Sequence, residues 1–475
     1  MLAFFDRPFP GMLNVRKLTV LDLAFFLTET KESPKHVAGL MLCKKPAGSP
    51  ANFARKLVEE LKTHDQLTEP FNLVIQLLGI RGPHWKITDQ FDIDEHVFYH
   101  KPKKTISWLE VQDFVARLHE PVMDRSKPLW EYHLIDGVEG GRFAVYTKIH
   151  HAYADGVMMA RWVADSLSKS PDDMELRPAW TLVRRRKKLT KSKPPSISGT
   201  IGSLTRQSWN QLLTTGGIAK LATLQYLEKA GLTHHTISVP FSANNDSPLT
   251  GSATAGRSIA TTWVTLEDIK RLSKESRSTL NHVALSCIDG GLHRYLDETG
   301  NSIDHPITIQ MPINLRSDKV DKAGNQVGVM LVELANPTED PLERFTEIGY
   351  NLRNVKNQIA SVPGDSIEQY SILLAVTGEL IEKLKLSDRL PTHGHTLVSN
   401  LPGPRELLYL KGAKVEQMFP LSLLLPGLHM NITLFSVGEI LNFGIVATRD
   451  LKDLDRLAVH IREEFDRLEK AVYKS

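Results

Sequence analysis

The stretch Phe143-Ala144-Val145-Tyr146-Thr147-Lys148-Ile149-His150-His151-Ala152-Tyr153-Ala154-Asp155-Gly156 organises the reading of this chain. It begins as a strand rich in apolar and β-branched residues. Upstream lie a second strand, Leu129 to Asp136, and a turn from Gly137 to Gly141, so the pair reads as a hairpin. Two adjacent histidines then open a loop, and from Gly156 to Leu167 apolar residues return at helical spacing. Strand, polar loop and helix in that order form the unit of an α/β fold. A strand end that opens into a loop is also where side chains reach a cleft. Asp155 stands where a helix cap belongs, and Gly156 permits a tight reversal.

Outward from this stretch the same alternation continues. Phe53 to Leu61 and Trp108 to Leu118 carry helical periodicity, and short apolar strands fill the interval from His36 to Trp180. Arg184 to Ser198 is rich in Arg, Lys, Pro and Ser and reads as an exposed linker, followed by a helical crossover from Ile201 to Lys229. A second α/β region begins near Ile259. It has helices expected at Leu266–Ser276, Leu280–Leu296, Glu343–Ile359, Glu368–Leu384 and Leu454–Val472. Strands are expected at Ile307–Ile313, at Val327–Leu334 and across the strand-rich stretch from His395 to Val446. The division is therefore 1–180, a basic linker and crossover at 181–257, and 258–475.

Composition narrows the function. With 475 residues, 41% of them hydrophobic, the chain can bury more than one core. A net charge of +3 is too small to make nucleic acid the main partner. Cys43 and Cys287 lack CxxC spacing, which argues against a disulfide framework or structural zinc and for a reducing cytoplasm. No signal peptide is read in the first fifteen residues, and no uncharged apolar run approaches the roughly 20 residues of a membrane span. Membrane contact, if made, is then peripheral. The basic run Arg184, Arg185, Arg186, Lys187, Lys188, Lys191 and Lys193 has three readings: a solvated linker, a patch for anionic lipid, or a partner for CoA phosphates.

The chain has no GxSxG elbow, P-loop, GxGxxG or HExxH motif. His119-Glu120 begins like a zinc helix but continues Pro-Val-Met, and no metal site is expected. The histidine loop remains. Imidazole, with an unperturbed pKa of about 6.5, is the natural base near neutral pH. Two loop histidines are also a common form of plain polar surface, so spacing alone leaves both readings open.

His150-His151-x-x-x-Asp155-Gly156 resembles the HHxxxDG signature of the condensation and acyltransferase superfamily related to chloramphenicol acetyltransferase. Leu18-Thr19-Val20-Leu21-Asp22 with Phe25-Phe26, then His36-Val37-Ala38-Gly39-Leu40, is similar to the start of the bacterial wax ester synthase/diacylglycerol acyltransferase family. Pro128-Leu129-Trp130 resembles that family's PLW element, Met311-Pro312-Ile313-Asn314-Leu315-Arg316 its Pro-Val-x-x-Arg strand, and Ser399-Asn400-Leu401-Pro402-Gly403-Pro404 its Ser-Asn-Val-Pro-Gly-Pro element. One position departs. The family usually has Asn-Asp where this chain has Asn281-His282, which leaves His282 either structural or a modifier of substrate preference.

The resemblance implies two chloramphenicol-acetyltransferase-like α/β lobes with a tunnel between them, joined by the crossover. It also implies O-acyl transfer from long-chain acyl-CoA to a fatty alcohol or diacylglycerol. His151 is the implied general base in a ternary complex, with acyl-CoA as substrate and no cofactor. His150 orients the loop, lies beside the reacting centre, or is a packed strand-end residue. Asp155 pairs with Arg316, caps the Gly156 helix, or does both. Asn281, Trp130, Ser399 and Asn400 are candidate substrate contacts, with Asn281 alternatively a donor to the developing oxyanion, while Trp130 reads first as a core residue and Ser399–Pro404 first as a turn. The implied location is cytoplasmic, with peripheral attachment to an anionic membrane or lipid droplet. The alternatives are a condensation-type enzyme with a polar or carrier-bound acceptor and a non-catalytic lipid-binding member of the fold.

Overall fold

A computed structural model describes residues 15–18, 20–77, 82–154, 156–182, 243, 247–314, 327–361 and 364–474. The chain divides into two compact units, one made of residues 1–184 with 403–421, the other of 185–402 with 422–475. Each is a mixed α/β layer structure, as the alternation of strand and helix periodicities requires.

The first unit runs β1 (Val15–Lys17), α1 (Val20–Thr28), β2 (His36–Lys44), α2 (Phe53–Leu61), β3 (Leu73–Gln76), β4 (His84–Ile87), β5 (Val97–His100), α3 (Trp108–His119), β6 (Trp130–Val138), β7 (Arg142–His150) and α4 (Gly156–Ser166). Local sequence explains these elements. Helix α2 buries Ala54, Leu57, Val58 and Leu61, one face at helical spacing. Helix α3 starts on a capping box, in which the Ser107 hydroxyl accepts the Glu110 N–H and the Glu110 carboxylate accepts the Ser107 N–H. The β6–β7 hairpin turns through Gly137, Gly140 and Gly141, all at positive φ, which side chains disfavour.

The second unit runs β8 (Arg257–Thr265), α5 (Leu266–Glu275), α6 (Leu280–Glu298), β9 (Thr308–Asn314), β10 (Val327–Glu333), α7 (Pro341–Ser361), α8 (Gly364–Lys383) and β11 (Thr396–Leu401). After β12 (Tyr409–Leu410) and β13 (Ala413–Leu421) it resumes with β14 (Met430–Val437), β15 (Ile440–Thr448) and α9 (Leu454–Val472). Its sheet has the order β10-β9-β11-β14-β15-β8. Helix α6 is buried from Val283 to Leu296 apart from Arg294, and packs on α9 through Gly290 and Gly291. A Cβ on Gly291 would lie 2.9 Å from the Ile461 backbone nitrogen, so only glycine allows this approach.

One boundary needs correction. Residues 258–475 do not all belong to the C-terminal unit, because β12 and β13 complete the first unit's sheet, whose order is β12-β13-β2-β7-β6-β5. β13 pairs antiparallel with β2 from Lys414↔Lys44 to Leu421↔Ala38. A strand's partner is set by tertiary register, which its own alternation does not carry. The expected linker and helical crossover at 184–229 lie outside the described residues.

Candidate active site

The histidine loop is built from the end of β7. His150 pairs in register with His36 of β2, and Ile149 with Trp130 of β6. Alternation sends Tyr146, Lys148 and His150 to one face of the sheet and Val145, Thr147 and Ile149 to the other. On the first face Lys148 is buried, and its ammonium donates to the carbonyls of Leu118 (3.1 Å) and Pro121 (2.7 Å) at the end of α3. Burial pushes the Lys148 pKa down, against the opposing charge of Glu131 at 3.7 Å. His36 is buried too, donates Nε2–H to the His119 carbonyl at 2.6 Å, and is held well below the usual histidine range by burial. It is therefore neutral.

His150 and His151 have different surroundings. His150 is 1% exposed, with Phe26 stacked on its ring at 4.4 Å and 5°. Its Nδ1 accepts the Ala152 N–H at 3.1 Å, so in the neutral ring Nε2 carries the proton. That Nε2 faces the Glu29 carboxylate at 3.6 Å, a charge contact beyond hydrogen-bond reach. His151 is half-buried, with Nδ1 turned inward and the Phe25 ring at 4.7 Å. Its backbone N–H donates to the Lys35 carbonyl at 2.9 Å. The turn is held further by Tyr153, a buried residue whose N–H reaches the His150 carbonyl at 2.9 Å and whose hydroxyl accepts the Leu129 N–H at 2.9 Å and donates to the Leu73 carbonyl.

Glu29 is the residue that sequence reasoning missed. Its side chain is only 2% exposed, and it accepts from the Lys35 N–H at 3.0 Å and from Arg125 Nη2 at 3.0 Å. Arg125 also donates to the Phe26 carbonyl at 2.8 Å and lies over the Phe26 ring. Burial by itself would raise the Glu29 pKa, but the His150 contact, the Lys35 amide and Arg125 together bring it below the ordinary value. One carboxylate thus touches His150 directly and holds His151 through Lys35. The available signal was an acid just past the C-terminus of α1, where the helix dipole disfavours negative charge. A residue in that position needs a reason.

Of the remaining sequence candidates, Asp155 and Arg316 lie outside the described residues, and Gly156 begins α4. Trp130 is packed, with its indole N–H donated to the Phe71 carbonyl (3.0 Å) and its ring stacked on Trp180 at 4.9 Å. It forms one wall of a small apolar cavity of about 80 Å³ shared with Met41, Ile149, Met159 and Trp162.

On the second unit two separately nominated residues meet. Asn400 Nδ2 donates to Asn281 Oδ1 at 2.5 Å, and both side chains are exposed. Oδ1 of Asn281 being taken, its own Nδ2 is the donor that points elsewhere. Ser399 is half-buried, opposite Thr433 of β14. His282 follows Asn281 and packs inward. Its ring stacks on Phe345 at 3.8 Å and 9°, and Nε2 donates to the Phe345 carbonyl at 2.6 Å. His282 therefore docks α6 on α7.

Residues 18–284 match the model of the wax ester synthase/diacylglycerol acyltransferase catalytic domain, and residues 323–469 match the C-terminal domain of the same family. The chain belongs to this family. It is 32% identical over 455 residues to a Mycobacterium bovis protein described as a putative diacylglycerol O-acyltransferase, covering 95% of this chain and 98% of that one. It superposes on the wax ester synthase/diacylglycerol acyltransferase from Marinobacter aquaeolei VT8 with a TM-score of 0.74 and 24% identity, over 96% of this chain and 100% of that one. The first condensation domain of the calcium-dependent antibiotic synthetase shares the fold at a TM-score of 0.58 and 12% identity, over 96% of each chain. The protein is an acyltransferase of the wax ester synthase/diacylglycerol acyltransferase type, with the chloramphenicol-acetyltransferase-like α/β fold expected from its motifs.

Proposed function

We propose that this acyltransferase moves a long-chain acyl group from acyl-CoA to a fatty alcohol or diacylglycerol in one ternary complex, with Nε2 of His151 as general base. The difference between the two histidines carries the reading. His150 is buried, with Nδ1 occupied by the Ala152 amide and Nε2 facing Glu29. His151 is half-buried at the strand end, its backbone held at the Lys35 carbonyl. A base must be reachable by its substrate, and His151 is the more open of the two.

In the proposed step Nε2 takes the hydroxyl proton as the alcohol oxygen attacks the thioester carbonyl carbon. Collapse of the tetrahedral adduct breaks the C–S bond, and the CoA sulfur leaves with the proton returned by the imidazolium. No covalent acyl-enzyme and no cofactor enter this scheme, since acyl-CoA is itself a substrate. His150 acts by positioning. Asp155 and Arg316 are proposed as a brace for the loop ahead of Gly156, and Asn281, Asn400 and Ser399 as substrate contacts on the second unit.

The test is thiol release from palmitoyl-CoA with hexadecanol, with dioleoylglycerol and with a polar amine. The alcohols should be acceptors and the amine should not. A folded His151→Ala variant should lose roughly 10²–10⁴ in turnover, the usual contribution of a general base. Near wild-type turnover in that variant refutes the assignment, and preference for the amine refutes the substrate class.

A further inference from the structure

Helix α8 is apolar on two sides, and one of them is uncovered. Ile367, Tyr370 and Leu374 are buried, and Ser371 ties that face to β10 by accepting the Val329 N–H at 2.8 Å. On the other side Ile372, Leu373, Val376 and Leu380 are 54, 51, 57 and 54% exposed. The Leu384 N–H still donates to the Leu380 carbonyl at 3.0 Å, so Leu384 prolongs the row, itself 58% exposed. Residues 372, 376, 380 and 384 follow one another at four-residue spacing and lie along one stripe. A single exposed leucine needs no explanation, but a contiguous row does. The five side chains expose roughly 500 Å², near the upper end of what a monomer leaves open.

The charges at the end of the stripe indicate what covers it. Glu382 spends its carboxylate on the Ala253 N–H and the Ser387 hydroxyl, both at 2.7 Å. Asp388 accepts the Ser252 N–H and hydroxyl, again at 2.7 Å each. Lys383, Lys385 and Arg389 are exposed around Leu384 and Leu390. An aliphatic stripe bordered by outward cations, with Glu382 and Asp388 engaged by the protein, matches a surface of acyl chains under anionic headgroups. Lysine stems lie along such a boundary while the ammonium stays among the headgroups.

We infer that α8 seats this protein on an anionic lipid surface, with Ile372, Leu373, Val376, Leu380 and Leu384 among the acyl chains and Lys383, Lys385 and Arg389 at the headgroups. The inference deepens the proposed function, because fatty alcohols and diacylglycerol reside in such surfaces. It is tested without turnover. The full chain is sedimented with phosphatidylcholine vesicles containing or lacking phosphatidylglycerol, at low and high salt. Two variants are compared, Val376→Ser/Leu380→Ser/Leu384→Ser and Lys383→Ser/Lys385→Ser/Arg389→Ser. Neither touches the buried face, and circular dichroism checks their folding.

The aliphatic variant should lose binding at least tenfold at either salt. The basic variant should lose roughly a hundredfold on anionic vesicles at low salt, and wild type should approach it as the Debye length falls from about 10 Å to about 3 Å. His151→Ala should bind like wild type, which separates seating from catalysis. Equal binding by all variants, or none by wild type, overturns the inference. So does unchanged vesicle binding with a dimer lost in the aliphatic variant, which would make a second copy the occupant. A fall in melting temperature with vesicle binding unchanged also overturns it, by assigning the stripe to a segment of this chain outside the described residues.

Discussion

Replacing Glu29 by Gln keeps the side-chain volume and removes the charge that connects the two histidines. The variant still offers one oxygen to the Lys35 N–H, which donates to Glu29 Oε1 at 3.0 Å in the parent. It loses the charge-assisted bonds from Arg125 (3.3 and 3.0 Å) and the charge facing His150 at 3.6 Å. Breaking a fully buried pair costs about 3–5 kcal/mol. Arg125 is one-third exposed and can turn partly to water, so the expected loss is about 2–3 kcal/mol. Urea unfolding followed by tryptophan fluorescence reads it well, since Trp85, Trp108, Trp130, Trp162 and Trp180 all lie in the first unit.

The pH dependence has a definite sign. The Glu29 carboxyl titrates below its ordinary value near 4.5 when folded, so its stabilisation is present above that value. It is lost as pH falls through the lower folded value. The gap between parent and variant should therefore be full at pH 7 and close at the acid end. Turnover should fall about tenfold or more at pH 7, because a loosened loop misplaces the base. Equal stability at every pH together with parental turnover would refute the positioning role of Glu29.

Three other outcomes are expected. A Cβ on Gly349 would meet the His282 ring at 2.5 Å, so Gly349→Ala should destabilise by about 1–3 kcal/mol, and His282→Asp in the same chain should relieve part of it; additive losses in urea unfolding would place the clash elsewhere. Burial raises Asp289 to about 8, against the attraction of Arg344 at 3.6 Å, so the neutral carboxyl is favoured and folding stability from this group falls as pH rises from about 4 to 8; Asp289→Asn should match the parent near pH 4, be the more stable of the two at pH 7 and remove that slope, whereas a loss of stability at pH 7 would show that the charged form is the one folded. Asp155→Asn and Arg316→Ala should each lower turnover, and the double variant should be less than additive if the side chains touch, while strict additivity in kcat would remove the brace.

Much of this was legible locally. Helices at 53–61, 108–119 and 454–472 follow from one apolar face repeating every third or fourth residue, and the hairpin from two strands around glycines that adopt positive φ. The histidine segment, with four ordered motif elements, was enough to point to the family. Asn281 and Asn400 were both nominated from motifs 119 positions apart, and the fold brings them to a 2.5 Å hydrogen bond.

What the chain does not carry locally is partnership across distance. Alternation says that Lys148 and His150 share a face, but only sheet packing decides that this face is buried against α3 and Glu29. Glu29 and Arg125 lie 96 positions apart in regions without a shared period, and their meeting depends on where α1 ends beside β7. β13 shows the same limit: its pattern identifies a strand, yet the register with β2 places it in the first unit's sheet. Period and composition are properties of short windows. Register, burial and the pairing of charges are set by the whole core.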